Sequence, residues 1–234
     1  TRSSCCPDDW RPAPPAAASA SPEAPPDCTL CPRLAAFRAS CRNAEPTWFN
    51  APVPSFGPSG ARLLVVGLAP GLRGANRTGR PFTGDYAGEL LYATLLEFGF
   101  ARGTYRADAG DGLTLVGCMI SNAVRCVPPE NKPLPAEIAA CRPFLAARIA
   151  SLPDLKAILA LGRIAHDQPL AALQCRKAAY PFAHGAKHNL QGHALDQGIT
   201  LFDSFHCSRY NTNTGRLTPE MFRGVVGQIR AYLG

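Results

Sequence analysis

The chain has no apolar run of membrane length and no basic-then-apolar opening. Spanning-helix and leader-peptide readings are therefore set aside. It also has no G-x-x-x-x-G-K-[ST] and no G-x-G-x-x-G. A P-loop and a dinucleotide fingerprint both fall away with those motifs. No internal repeat is visible. What the sequence does have in quantity is cysteine, ten in 234 residues. Without a secretory segment, a disulfide framework explains them poorly, and metal or cofactor ligation explains them better.

The cysteines are unevenly informative. Cys28 and Cys31 form a C-x-x-C in CTLCPRL, and Cys126 and Cys141 lie far downstream in RCVPPENKPLPAEIAACRPF. Two ligands from an N-terminal knuckle and two flanking a loop and helix can clamp one four-coordinate centre. All-thiolate coordination suits structural zinc or an iron–sulfur cluster, and spacing alone does not separate them. The bland alternative is buried thiols packing as small apolar residues. That alternative is the better one for Cys5, Cys6, Cys41, Cys118, Cys175 and Cys207, which have no comparable spacing.

Composition bounds the rest. Residues 1 to 26 are rich in Pro, Ala and Ser and read as a solvated tail. Residues 27–234 suffice for one domain with a sizeable core. Lys plus Arg number 24 against 17 Asp plus Glu, a net charge of +7 with a pI near 9.0. Such a balance favours a polyanionic partner, and the predominance of Arg suits phosphate contacts.

Apolar runs and helical periodicities alternate. Strands are expected at Leu63–Val66, Leu113–Ile120, Leu155–Leu161 and Ile199–Phe205. Helices are expected at Gly88–Gly99, Pro135–Ser151, Gly162–Leu173 and Thr218–Leu233, the last with Thr218 as N-cap and Glu220 in its first turn. This order predicts a three-layer α/β/α sandwich around a mostly parallel sheet.

In such sheets ligands bind beyond the carboxyl ends of strands. After the first strand comes GLAPGLRGANRTGRPFTGDYAG, Gly67 to Gly88, in which six residues are Gly. It brings backbone close to a ligand and carries Phe82 and Asp85. After the second strand come Asn122 and Asn131, and after the fourth His206, Arg209, Tyr210 and Asn211. An aromatic face, amides, a carboxylate and an imidazole could stack a planar heterocycle, read its edge and stabilise charge on it. Each also has a plainer role: Phe82 in the core, Asn122 and Asn131 as turn formers, Asp85 as a helix cap, His206 as a satisfied buried ring. His166, His184, His188 and His193 lack a comparable strand-end setting and read as plain histidines.

These motifs together, from Cys28 to the C-terminus, resemble the uracil-DNA glycosylase superfamily, specifically its family five. The resemblance rests on CTLCPRL, the Gly67–Gly88 motif, NAVRCVPPENKPLP with Cys141, GRIA at Gly162–Ala165 and HCSRYNTNTGRLTPEMF. The GLAP opening separates the chain from family four, which usually carries an acidic residue after the first Gly. The resemblance implies a DNA repair enzyme that flips a damaged nucleotide from the duplex and hydrolyses its N-glycosidic bond, leaving an abasic site. Uracil is the expected substrate, with other deaminated bases such as hypoxanthine beside it. It implies a [4Fe–4S] cluster on Cys28, Cys31, Cys126 and Cys141.

The same resemblance assigns roles. Phe82 matches the aromatic that stacks on the flipped base. His206 matches the donor to uracil O2, and Asp85 the carboxylate that steadies the sugar cation or orients water. Asn131 matches an amide implicated in base binding, and Asn122 lies where family four places its uracil-reading Asn. Gly67 and Ala69 fall in the substrate-binding motif, where Ala69 offers no base of its own. Asn211 is expected on the base or the DNA, and Arg209 and Tyr210 in the gap left by flipping. Many relatives have Gln at the place of Tyr210 and His at that of Arg73, which leaves the wedge open. The expected partner is double-stranded DNA, the expected state a monomer, and the expected place the nucleoid of the cytoplasm, with no membrane association. Two other readings stand beside this one: a non-catalytic nucleic-acid binder that keeps the fold and cluster, and a nucleotide-phosphate enzyme built on the Gly-rich loop. Release of free base from DNA separates the three.

Overall fold

Leu63 to Gly67 are buried along their whole length, and so are the strands beside them. A strand buried on both faces reads as a continuous apolar run, the signature of a parallel sheet covered on both sides. The computed structural model, which describes residues 21–190 and 198–234, has that arrangement. In chain order its elements are α1 (Pro32–Ala44), β1 (Leu63–Gly67), α2 (Ala75–Thr78), α3 (Tyr86–Glu97), β2 (Ala101–Arg102), β3 (Thr114–Leu115), β4 (Cys118–Asn122), α4 (Pro135–Ala150), β5 (Ala157–Leu161), α5 (Arg163–Ala172), β6 (Lys187–Asn189), β7 (Thr200–Ser204), α6 (Arg209–Asn213) and α7 (Pro219–Leu233). The main sheet has the order β4-β1-β5-β7-β6. Its first four strands run parallel, and β6 closes the edge antiparallel to β7.

Alternation along the strands divides the core in two. Leu63, Val65, Ile120, Leu159 and Phe202 face α3 and α7, meeting Leu91, Leu95, Phe222 and Ile229. Leu64, Val66, Ile158, Ala160 and Leu201 face α4 and α5, meeting Leu145, Ile149 and Leu170. This is the three-layer α/β/α sandwich the alternation predicts. A third, small cluster joins Leu34 of α1 to Val124, Cys126, Ile138 and Cys141.

The local grammar holds at several ends. Thr218 Oγ1 accepts from Met221 N at 3.2 Å, capping α7. Glu137 reaches back to accept from Leu134 N at 2.7 Å at the start of α4, and its carboxylate also meets Arg33 of α1 at 2.7 Å.

Two expectations change. The run Leu113–Ile120 is not one strand. Thr114–Leu115 pair with Ala101–Arg102 in a separate ribbon, and β4 begins at Cys118 and extends to Asn122. Gly117, at φ 59°, turns the chain between them; left-handed backbone is inexpensive for Gly alone. Helix α1 and the edge strand β6 were unannounced. The C-x-x-C pattern masks the first, which buries only Leu34, Arg38 and Cys41, and the second has three residues and no alternation. Pro22 O accepts from Arg125 Nη2 at 2.9 Å, and Glu23 pairs with Arg125 at 3.3 Å and with Arg148. Arg125 is 1% exposed, and a buried charge requires partners. Pro22 and Glu23 are therefore held against the folded unit. Residues 1–20 of the expected tail, with Cys5 and Cys6, and His193 lie outside the described residues.

Candidate active site

The parallel register sets Gly67 beside Asn122 and Leu161 beside Ser204. The carboxyl ends of β1, β4 and β7 thus come together, and a cavity of about 360 Å³ opens above them. Among its lining residues are Ala69, Phe82, Asp85, Asn122, Asn131 and His206. Arg209 stands at its rim, together with Tyr86 and Ser208, neither of which the sequence marked. A broader trough of about 660 Å³ adjoins it, sharing Asp85, Tyr86, Asn131 and Arg209 and adding Arg73 and Arg77.

Gly67 itself lies beneath the cavity. A Cβ there would stand 2.6 Å from Phe82 Cζ and closer still to Asn122 Oδ1. A bare backbone lets aromatic ring and amide meet over the strand end. Phe82 has φ 53°, a conformation costly for a bulky residue, and is 6% exposed. Such strain persists only where the surroundings over-determine it, and here the restraints can be named. Tyr92 Oη donates to Pro81 O at 2.7 Å and Tyr105 Oη to Phe82 O at 3.2 Å. Thr78 Oγ1 donates to Thr83 O at 3.0 Å. Arg80 Nε donates to Thr83 Oγ1 at 2.7 Å, and its two terminal nitrogens meet Asp111 at 2.8 and 2.7 Å. The guanidinium sits among the rings of Phe56, Tyr92 and Tyr105 at 5.3, 5.3 and 5.8 Å. The Arg80 hydrogen bond holds the Asp111 carboxyl well below the usual range. Sequence reading missed this clamp. Arg80 stands inside the key motif, but its partner is 31 residues away with no pattern joining them.

The chemistry-bearing groups have distinct environments. Asp85 caps α3 with one oxygen, Oδ1, which accepts from Gly88 N at 3.0 Å. Its other oxygen faces the glycine loop: a Cβ at Gly74 would lie 2.6 Å from Oδ2, and one at Gly71 would lie 3.5 Å away. The cap and the cavity wall are one residue. Burial pushes its pKa up, with the Gly88 amide working against that shift. His206 follows β7, with its ring centroid 5.9 Å from that of Phe82 and tilted 32°. Burial holds its pKa down at about 4, so the imidazole is neutral near pH 7. Asn122, 3% exposed at the end of β4, has its Oδ1 buried without a hydrogen-bond partner. An orphaned acceptor in a cavity wall calls for a donor. Asn131 is exposed in a 3-10 turn at φ 57° and reaches the cavity from its rim.

Asn211 and Tyr210, expected on the base or the DNA, do not line the cavity itself. Asn211 is absent from the cavity lining; its Nδ2 donates to His206 O at 2.8 Å, so it holds the loop of the histidine. Tyr210 is 72% exposed and also outside the cavity. Arg209 lies with its guanidinium 5.2 Å over the ring of Tyr86.

The four spaced cysteines converge beside this site. Cys28, Cys31, Cys126 and Cys141 are unbridged and wall one small hollow with Leu34, Arg38 and Val124. Arg38 Nη1 donates to Cys126 Sγ at 3.2 Å, and Arg125 N to Cys141 Sγ at 3.3 Å. Arg38 is 4% exposed, and its Nε has no partner. Burial pushes the Cys141 thiol up to about 12 and raises those of Cys31 and Cys126. Donors aimed at sulfur and a buried cation with a spare N–H suit thiolates rather than thiols. The donor set therefore fits a thiolate-ligated metal centre.

The model of a family described as the uracil DNA glycosylase superfamily matches residues 54–230. Over 213 residues, 88% of this chain and 94% of the relative, the sequence is 46% identical to a protein of Thermus thermophilus named type-5 uracil-DNA glycosylase. It is 39% identical over 216 residues to one of the same name from Mycobacterium tuberculosis, covering 88% of this chain and 78% of that one. It is 35% identical over 212 residues to one from Pyrobaculum aerophilum, covering 89% and 90%.

Proposed function

Because this chain belongs to the uracil DNA glycosylase superfamily, we propose that its cavity takes a uracil base flipped out of DNA and cuts the bond between base and sugar. The orphaned Asn122 Oδ1 carries the reading. Uracil N3–H supplies the donor that atom lacks, and the amide Nδ2 then points to O4. Cytosine presents an acceptor at N3 and would leave Oδ1 unpaired, which a buried site penalises. Phe82 supplies the stacking face, held by the Arg80 clamp.

The reaction is a hydrolysis. The C1′–N1 bond breaks with its electron pair leaving on the base, water adds to C1′, and the water's second proton is released. Negative charge collects on uracil and positive charge on the sugar. With its pKa near 4, His206 donates a hydrogen bond to the developing anion without transferring a proton. Asp85 Oδ2 faces the opposite charge and orients the water; Oδ1 stays with the cap. Ala69 adds no polar group to the wall.

Cys28, Cys31, Cys126 and Cys141 would hold a [4Fe–4S] cluster, which when bound supplies a rigid tie between the N-terminal knuckle and the Asn122–Asn131 segment. Arg73, Arg77 and Arg209 along the adjoining trough support double-stranded DNA as the substrate and phosphate contacts as its hold. Hypoxanthine and other deaminated bases belong to the same proposal, as do a monomeric state and a nucleoid setting. Among the described residues no helix is long and apolar enough to cross a membrane. The test is single-turnover incubation with duplexes containing uracil, hypoxanthine or cytosine, reading free base and alkali-labile sites. Uracil release with cytosine untouched is the expected result. Binding without release would make the chain a binder instead.

A further inference from the structure

Among the described residues, one further group of ligand-bearing side chains comes together beyond the cavity and the cysteines. His166 of α5, His188 of β6 and Asp203 of β7 place one donor atom each within 4.8 Å of one another. The Asp203 side chain is 0% exposed, that of His166 1% and that of His188 13%. Sequence reading passed over both histidines.

The hydrogen inventory of the group is unusual. His166 Nε2 lies 2.8 Å from Tyr180 O. A carbonyl only accepts, so Nε2 carries its hydrogen. In the neutral ring the lone pair of Nδ1 then faces Asp203 Oδ1 at 2.7 Å. Two acceptors at that distance are held together only by a positive charge between them. The other carboxylate oxygen, Oδ2, stands 3.3 Å from His188 Nε2. One buried carboxylate therefore binds two imidazoles from two different elements.

We propose that His166, His188 and Asp203 form a binding site for a divalent transition ion of the zinc class. Two imidazole nitrogens and one carboxylate oxygen are ligands zinc accepts, with a fourth position left for water. The Tyr180 carbonyl on the far nitrogen of His166 is the outer contact that fixes a ligand's tautomer. On binding, the ion takes the place of the proton shared by His166 and Asp203, which leaves to solvent. That pair opens to roughly 3.3 Å, the ligand spacing of a tetrahedron with bonds of about 2.0 Å. His188 Nε2 stands 3.3 Å from the carboxylate's other oxygen, Oδ2, and within 4.8 Å of the ligand atoms of its two partners. The part-exposed edge of His188 gives the ion its way in. Occupancy ties α5 and the short edge strand β6 to β7, three residues before His206.

The test uses the iron-replete full chain, so that zinc on the cysteines does not confuse the count. The protein is equilibrated with micromolar zinc and desalted, and zinc and iron are then measured on one sample. One zinc per chain beside undiminished iron is expected. His188→Ala should retain at least tenfold less zinc with its iron unchanged. If that variant loses iron through misfolding, His188→Gln, which keeps the bulk of the side chain, carries the comparison. No retained zinc in the wild type, or equal zinc in the His188 variant, overturns the proposal and leaves the group a proton-bridged ion pair.

Discussion

Replacing Asp85 with serine separates the helix cap from the catalytic role proposed for its second oxygen. A serine Oγ can accept from Gly88 N as Asp85 Oδ1 does at 3.0 Å, so the cap of α3 survives. The second oxygen, facing Gly71 and Gly74 at the cavity, is lost. Alanine removes both. Losing a cap costs about 1 kcal/mol, within a range of roughly 0.5–2 kcal/mol, so the alanine variant should fall by that amount against the serine variant in urea unfolding. The burial that raises the pKa of Asp85 above 3.8 adds a pH signature. The native state holds this proton more tightly than the unfolded chain does. The carboxyl's contribution to stability is therefore full below 3.8 and is lost as pH rises through the folded-state pKa. The serine variant should thus gain on the wild type across that window and keep the gain at neutral pH. Excision should move the other way. Both variants should release uracil about 10²- to 10⁴-fold more slowly in single turnover, the scale of a positioned acid–base group. If Asp85→Ser released uracil at the wild-type rate, the carboxylate would be a helix cap and nothing more.

The neutral imidazole makes His206→Ala lose roughly ten- to a thousand-fold in rate, the scale of one preorganised donor, and leaves the wild-type pH profile without an inflection near 6.5, where an ordinary histidine titrates. An inflection there that vanished in the variant would refute the neutral donor. Asn122→Ala should cost more than Asn131→Ala in kcat/KM on uracil duplexes, since only the former empties the buried acceptor position; equal losses would count against the proposed reading of the base edge. Asp111→Asn leaves the Arg80 guanidinium buried without its counter-charge, a loss of about 3–5 kcal/mol in unfolding free energy, and unchanged unfolding would disprove the clamp. Purified protein should be brown, with Cys28→Ala and Cys141→Ala losing iron and colour together; a colourless wild type holding zinc at the cysteines after anaerobic purification would displace the iron–sulfur proposal.

The layered fold was legible because its causes are local and periodic. Runs such as Leu63–Val66 and Leu155–Leu161 announce strands buried on both faces, and Thr218 announces its helix through one side-chain oxygen. Long motifs in fixed order pointed to the family. The sequence failed where one residue changes a local rule. Gly117 splits an apolar run that carries no other sign of a break, and α1 hides behind a cysteine pattern.

What only the tertiary structure decided is which polar atoms are left without partners and which are already taken. Asn122 and Asn131 are equivalent in sequence, yet one ends a buried strand with an unpaired oxygen and the other sits exposed on a turn. Asn211, expected on the base or the DNA, bonds the backbone of His206. Asp85 looked like either a cap or a catalyst; Oδ1 makes the cap and leaves Oδ2 facing the glycine loop. Arg80 with Asp111, and His166 with His188 and Asp203, are joined across 31 and 37 residues at the widest. Sequence patterns record the periodicities of single elements. Hydrogen-bond satisfaction and charge pairing are settled between elements, by the distances that folding sets.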